Sequence, residues 1–361
     1  MALNRSTIAA LVGELEALGA TEQVAPEAGR RSAGRPSPVV RADSAGPYVV
    51  AADVGVGRIR AARILLGGEV AARATARVPD RPDPVETAAV LAGLVEELTA
   101  SAPPRATLVG VGVGVPGVIA KTGGVVRVAP NLDWRDVAFS ELVAAHLDPS
   151  VPVLLDNDAN LGALAEHLRG VGVGVDDLVY VIGLVGVGAG FIVGGAPLLG
   201  AGGYAGEIGH MRYRPDGEAC HCGNRGCWET EVGAVAIARA IGAPAEQVSH
   251  LDEVLDDFDR APEALREIGR HIGVGLASAV NLFNPRLVVL GGYLRSLYRL
   301  VGDDVDTALE ERALRAPSQT VTVSLPGLGD DSVLLGAAEM AFAPVLADPV
   351  TVLSGADEVR A

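Results

Sequence analysis

All three cysteines of the chain fall within eight residues, in the run Cys220-His-Cys222-Gly-Asn-Arg-Gly-Cys227, and His210 stands ten residues before the first. Thiolates and imidazole are donors of tetrahedral zinc, and glycines beside them let the backbone curl so that three sulfurs reach one ion. A disulfide would leave one thiol over and is disfavoured in the cytosol, while a catalytic cysteine would not need two companions. The cluster therefore predicts a zinc site with Cys220, Cys222 and Cys227 as ligands and His210 as the fourth. Four protein ligands close the coordination sphere, so the expected role is architectural.

A second constellation, Asp156-Asn157-Asp158-Ala-Asn160, is expected at the end of a buried strand and the start of a helix. Asn and Asp serve as helix caps, but two carboxylates and two amides exceed what one cap requires. With Glu207 and Glu229 they form a set suited to the hydroxyls of a sugar, and Asp158 is the candidate base for a hydroxyl proton. Glycine-rich turns make a third group: Asp53-Val-Gly55-Val-Gly57 after the first strand, and Gly186-Val-Gly188-Ala-Gly190 between strands of the second half. Backbone amides at such turns can cradle phosphates, although hairpins use the same residues and neither run has the lysine of a P-loop. Gly291 and Gly292 end a later strand and could face an adenine or form a plain turn.

These residues need a large scaffold, and 361 residues with 49% hydrophobic content supply one. With 29 basic against 45 acidic residues the formal charge is −16, which excludes bulk electrostatic coating of a polyanion. Leu178 to Gly206 carries no charge and is long enough to cross a bilayer, but ten of its residues are glycine, so two buried strands joined by turns are expected instead. No membrane span and no secretory signal are read, and the cytoplasm is the default location. Strands at 48–54, 58–66, 68–78, 107–113 and 151–155 interleave with helices at 84–99 and 136–146. The second half repeats the plan with strands at 178–184, 190–193 and 287–290 and helices through 232–282. Two similar α/β halves enclosing a cleft follow. Before them, residues 3–18 read as one amphipathic helix closed by Gly19, and Thr21 to Ala45 as a loop holding Arg30, Arg31, Arg35 and Arg41.

Taken together, Gly206-Glu207-Ile-Gly209-His210, the cysteine cluster running into Trp228-Glu229, and Asp156 to Asn160 resemble the ROK family of repressors, open reading frames and sugar kinases. The resemblance extends from about Tyr48 to the C-terminal helices and includes Pro130-Asn131-Leu132 and Asn281 to Pro285. It implies an actin-like, two-lobed ATPase fold with a zinc-binding insertion and a hexose-type sugar between the lobes. Asn157, Asp158, Glu207, His210 and Glu229 would contact the sugar, with Gly117 and Asn131 beside them. The implied lobes are 46–156 plus 331–361 and 157–330. Family kinases carry Asp-x-Gly-Gly-Thr where this chain has Asp53-Val-Gly55-Val56-Gly57, and Thr-Gly where it has Val185-Gly186. The implied nucleotide site at Asp53, Gly55, Gly57, Gly186, Gly188, Gly190, Gly291 and Gly292 is thus degenerate, and ATP with magnesium would be a cofactor only if the chain were a kinase. Residues 1–45 resemble part of a winged helix-turn-helix. Asn4, Arg5, Ser6 and Thr7 would open its recognition helix, and Arg35 with its neighbours would reach DNA phosphates. The expectation is a sugar-responsive repressor with operator DNA as partner, acting as a homodimer or homotetramer, with an ATP-dependent hexose kinase as the alternative.

Overall fold

The computed structural model describes residues 4–25, 38–244, 247–248 and 251–358. Strand β3 (Pro47–Val54) is buried at every position, which requires cover on both faces of its sheet. It pairs with β4 (Arg58–Leu65), which pairs with β5 (Val70–Arg77), both antiparallel, while β6 (Thr107–Val115) and β10 (Val153–Asn157) add in parallel on the other side. The order is β10-β6-β3-β4-β5. The second sheet is built from β11 (Leu178–Gly183), β12 (Val187–Val193), β13 (Ala196–Pro197), β14 (Leu287–Gly292) and β15 (Thr322–Ser324), in the order β13-β12-β11-β14-β15. Read from the opposite end, this is the same arrangement, with the same antiparallel meander and the same two parallel additions. The duplication expected from sequence is therefore present strand for strand.

Helices fill three layers. Outside the first sheet lie α2 (Pro84–Ala100) and α3 (Phe139–Ala144), with a small antiparallel sheet of β7 (Val118–Ile119), β8 (Val126–Ala129) and β9 (Trp134–Val137). Between the sheets lie α4 (Asp158–Arg169) and α11 (Ser332–Ala347), whose side chains share one core with both. Outside the second sheet are α5 (Glu229–Val232), α6 (Ala234–Ile241), α7 (Leu251–Asp256), α8 (Glu263–Phe283) and α9 (Tyr293–Arg312). Short α10 (Arg315–Ser318) and terminal α12 (Pro349–Glu358) complete the set. The middle layer packs closely: a Cβ on Gly112 of β6 would lie 2.0 Å from the Ala337 carbonyl oxygen of α11.

The structure corrects three local expectations. The helix expected from 136 starts at Phe139, because 134–137 pair as β9. The segment 21–45 is not wholly a loop: β1 (Thr21–Val24) and β2 (Val39–Ala42) pair antiparallel beside α1 (Arg5–Ala17). Gly188 and Gly190 lie within β12, opposite Ile182 and Tyr180, so the turn between the strands is only 184–186. At the N-terminus, Asn4 caps α1, its Oδ1 accepting from the Thr7 amide at 2.8 Å and the Ser6 hydroxyl at 2.7 Å. Gly19 closes the helix at φ 67°. Ile8 and Leu11 of the apolar stripe remain exposed. Arg35, with Arg30 and Arg31, lies outside the described residues. Among the described residues no helix is long and apolar enough to cross a membrane.

Candidate functional site

Parallel strands of both sheets end on one cavity of about 370 Å³, the position at which open α/β sheets present ligand sites. Asp53 stands at the end of β3, Gly117 follows β6, Asn131 follows β8, and Asn157-Asp158 join β10 to α4. From the other half come Gly186, Gly188, Glu207, His210, Glu229 and Gly292. Every residue assigned to sugar from the sequence thus lines one cavity. Of the phosphate-turn glycines, Gly55 lines it as well, whereas Gly57, Gly190 and Gly291 are not part of its wall. Gly57 turns the β3–β4 hairpin at φ 77°. Gly190 and Gly291 admit close neighbours, the Ala159 carbonyl and the Tyr180 hydroxyl, which a Cβ would strike.

Asn157 is a helix cap after all: its Oδ1 accepts from the amides of Ala159 and Asn160 at 2.8 and 3.2 Å. Its Nδ2 donates to the Gly117 carbonyl at 2.9 Å, which ties α4 to the loop after β6. Asp156 turns back on its own chain, accepting from the Asn157 amide and from Asn160 Nδ2. Asp158 is 4% exposed and accepts only from the Ala159 amide among the described residues. Burial, reinforced by the charges of Asp53 and Glu207, pushes its carboxyl up to about 7. Burial also raises Glu207, against the opposing pull of His210. A carboxylate with a free oxygen and a proton affinity near neutrality is suited to accept from a ligand hydroxyl.

Beside this set, His210 on a short 3-10 turn and the loop 220–227 bring one nitrogen and three sulfurs within 4.8 Å of one another. Cys220 Sγ lies 3.7 Å from His210 Nδ1, and Cys222 Sγ lies 3.7 Å from Cys227 Sγ. A tetrahedron with metal–sulfur bonds of about 2.3 Å has edges of about 3.8 Å, so these two separations match such a site, and the full set, within 4.8 Å, is of the size a metal ion would draw together. Glu229 joins this cluster to the cleft. Its Oε1 lies 3.6 Å from Cys220 Sγ, and its Oε2 accepts from the Val187 amide at 3.0 Å.

Sequence reasoning missed Arg60 and Asp330, both in the cavity wall. Arg60 Nη2 lies 2.5 Å from Asp53 Oδ2. The signal was available: once Gly55 and Gly57 are read as a hairpin, Asp53 and Arg60 become direct cross-strand partners.

Two duplicated α/β halves around one cleft define the actin-like, two-lobed fold of sugar kinases. The ROK family profile matches residues 49–343, and the chain belongs to the ROK family. A xylose repressor of Caldicellulosiruptor bescii is 30% identical over 366 residues, spanning 96% of this chain and 90% of its own. A glucokinase of Streptomyces coelicolor is 32% identical over 265 residues, 67% of this chain and 82% of its own. Among solved structures, a ROK family transcriptional regulator described as a homolog of the E. coli MLC protein superposes with TM-score 0.76 at 25% identity, covering 97% of this chain and 91% of that one. A ROK family glucokinase from Streptomyces griseus, in complex with glucose and AMPPNP, gives TM-score 0.68 at 27% identity, covering 81% and 98%.

Proposed function

We infer that this chain is a sugar-responsive transcriptional regulator of the ROK family, a repressor that binds a pentose or hexose in the cleft and releases operator DNA. One observation carries the reading: a hydroxyl-recognising wall faces a phosphate turn without the kinase hydroxyls, with Val56 in the cavity wall at the position of the kinases' second glycine. Phosphoryl transfer depends on positioning and charge stabilisation of the phosphates, and that side of the cleft lacks the means. Similarity to the xylose repressor over 96% of the chain supports the same assignment.

In this reading Asp158, Glu207 and Asn131 take sugar hydroxyls, and His210 offers the sugar the ring nitrogen that the cysteine cluster does not use. Zinc is the metal, because three thiolates and an imidazole in tetrahedral spacing suit it best. It supplies a fixed anchor for His210 and the loop that follows. Sugar binding shifts the equilibrium between open and closed lobes, which alters the spacing of the N-terminal arms in a symmetric dimer or tetramer. The α1 helix enters the major groove through Asn4, Arg5, Ser6 and Thr7, and the β1–β2 ribbon lies beside it as the wing. Asn4 holds the helix end in shape, and Arg35 and its neighbours between the two strands contact phosphates.

The test is fluorescence anisotropy of labelled promoter DNA with zinc-loaded protein, titrated with xylose, glucose and N-acetylglucosamine. One sugar should release the DNA, and Asp158→Asn should abolish the response while leaving DNA affinity intact. A second reading, an ATP-dependent hexose kinase with Asp158 as base, is favoured by the position of the Asp158 carboxyl near 7. Sustained sugar-dependent ADP formation, lost in Asp158→Asn, would establish that reading instead.

A further inference from the structure

The side chain of Arg60 enters the phosphate end of the cleft and is largely covered there, with 24% of it exposed. Its Nη2 and Nε both donate to Asp53 Oδ2, at 2.5 and 3.2 Å, and its Nη1 donates to the Asp330 carbonyl at 3.1 Å. Asp330 belongs to the turn Gly329–Asp331 that leads into α11. That turn is held from every side: Arg73 of β5 grips the Asp331 carboxylate with two bonds, at 2.8 and 2.7 Å, and Arg295 of α9 lies 2.9 Å from the Asp330 carboxylate. Arg60 and Arg73 come from the first sheet, Arg295 from the second half. The turn is therefore a clasp between the lobes, and Arg60 is the only one of the three cations that also lines the cleft.

We propose that Arg60 is a built-in counter-cation of this cleft: it pairs with Asp53, fastens the first sheet to the 329–331 turn, and shuts the phosphate end to magnesium-bound nucleotide, leaving sugar as the ligand that closes the lobes. An arginine in a cleft more often recruits phosphate than excludes it. Here the opposite sign follows from the partners. Each guanidinium nitrogen already donates to a carboxylate or a carbonyl, and the surrounding wall carries Asp53, Asp158, Glu207 and Asp330 against one further cation, Arg58. A polyphosphate would have to break a charge-assisted pair in a poorly solvated site and then face those carboxylates. A magnesium ion entering with it would find Asp53 Oδ2 already paired with a cation, leaving only the buried Oδ1 beside that same guanidinium.

The inference rests on the regulator reading only in naming sugar as the closing ligand, and a different measurement tests it. Magnesium-ATP binding is measured calorimetrically on the full zinc-loaded chain, in the presence of saturating sugar, for wild type, Val56→Gly, Arg60→Ala and the double variant. Backbone hydrogen exchange of residues 325–333 is followed in the same proteins. Val56→Gly alone should remain without nucleotide binding, and adding Arg60→Ala should bring affinity at least tenfold tighter than either wild type or Val56→Gly. Exchange across the turn should accelerate tenfold or more in Arg60→Ala. Arg73→Ala, outside the cleft, should accelerate exchange without gain of nucleotide. Arg60→Lys keeps a positive charge but lacks the forked reach to both partners, so it should accelerate exchange even if the alanine variant does not fold. Nucleotide binding by Val56→Gly equal to that of the double variant would overturn the proposal. So would tightest binding in wild type, which would make Arg60 a phosphate ligand, or unchanged exchange in both Arg60 variants. Failure of sugar to release DNA would instead refute the regulator reading, leaving these results untouched.

Discussion

Glu229 and Asp158 show how much one side chain's surroundings decide. Burial keeps the Asp158 carboxyl up near 7, so between about 4 and 7 the folded chain holds a proton that the unfolded chain has lost. On this account the group makes folding less favourable as pH rises through that window. Urea midpoints of wild type and Asp158→Asn should lie closest below about pH 4, separate progressively above it and differ fully by pH 8, with the asparagine variant gaining in relative stability. Sugar affinity should move the other way, tightening in wild type as pH rises through 7 and staying flat in Asp158→Asn; calorimetry at pH 6 and 8 reads it. Glu229, held between Cys220 and the Val187 amide, links the His210–cysteine cluster to the cleft wall. Cys227→Ser should lose bound zinc, measured by elemental analysis, and should weaken sugar binding by roughly tenfold or more. The cluster was legible in sequence because its ligands are local. The Asp53–Arg60 pair was missed although its signal was there, because finding it takes two steps: reading Gly55 and Gly57 as a hairpin, then counting the register across it.

Among the elements, α4 carries the most unusual single contact. Glu166 is fully buried, and its two oxygens accept from the amides of Val171, Gly327 and Leu328 and from the Ser332 hydroxyl. It pins the segment between β15 and α11 to the middle layer. Glu166→Ala would leave three amides without their acceptor, and a loss of about 3 kcal/mol or more is expected, read from the denaturant midpoint and slope. Nothing in the sequence singled out Glu166, since a glutamate in the last turns of a polar-faced helix has the pattern of a solvated one. The long strands and helices were legible because apolar runs of fixed period identify them. The strands β1, β2 and β7–β9 were missed because each is two to four residues long, too short to show alternation. Gly188 and Gly190 were assigned to a turn because sequence does not distinguish a glycine that bends the chain from one that makes room for a neighbour.

At the scale of the molecule, two copies of one strand plan face each other across α4 and α11, with the cleft at the strand ends. In the proposed reading, closure is a rotation of the two sheets about the shared helical layer, biased by a sugar bound between them. That arrangement also sets the order in which the chain can mature on the ribosome. The strands β3 and β6 are complete by residue 115, but the helix that covers their inner face, α11, begins more than 200 residues later. At about 5–20 residues per second that interval is roughly 10–40 s. Over that interval Val49, Ala51 and the glycine groove around Gly112 wait without their final cover, and of the two middle-layer helices only α4, finished at residue 169, emerges before α11. The inner face of the first sheet therefore waits longest for α11, and capture of ribosome-bound chains ended near residue 200 by a chaperone is the expected consequence.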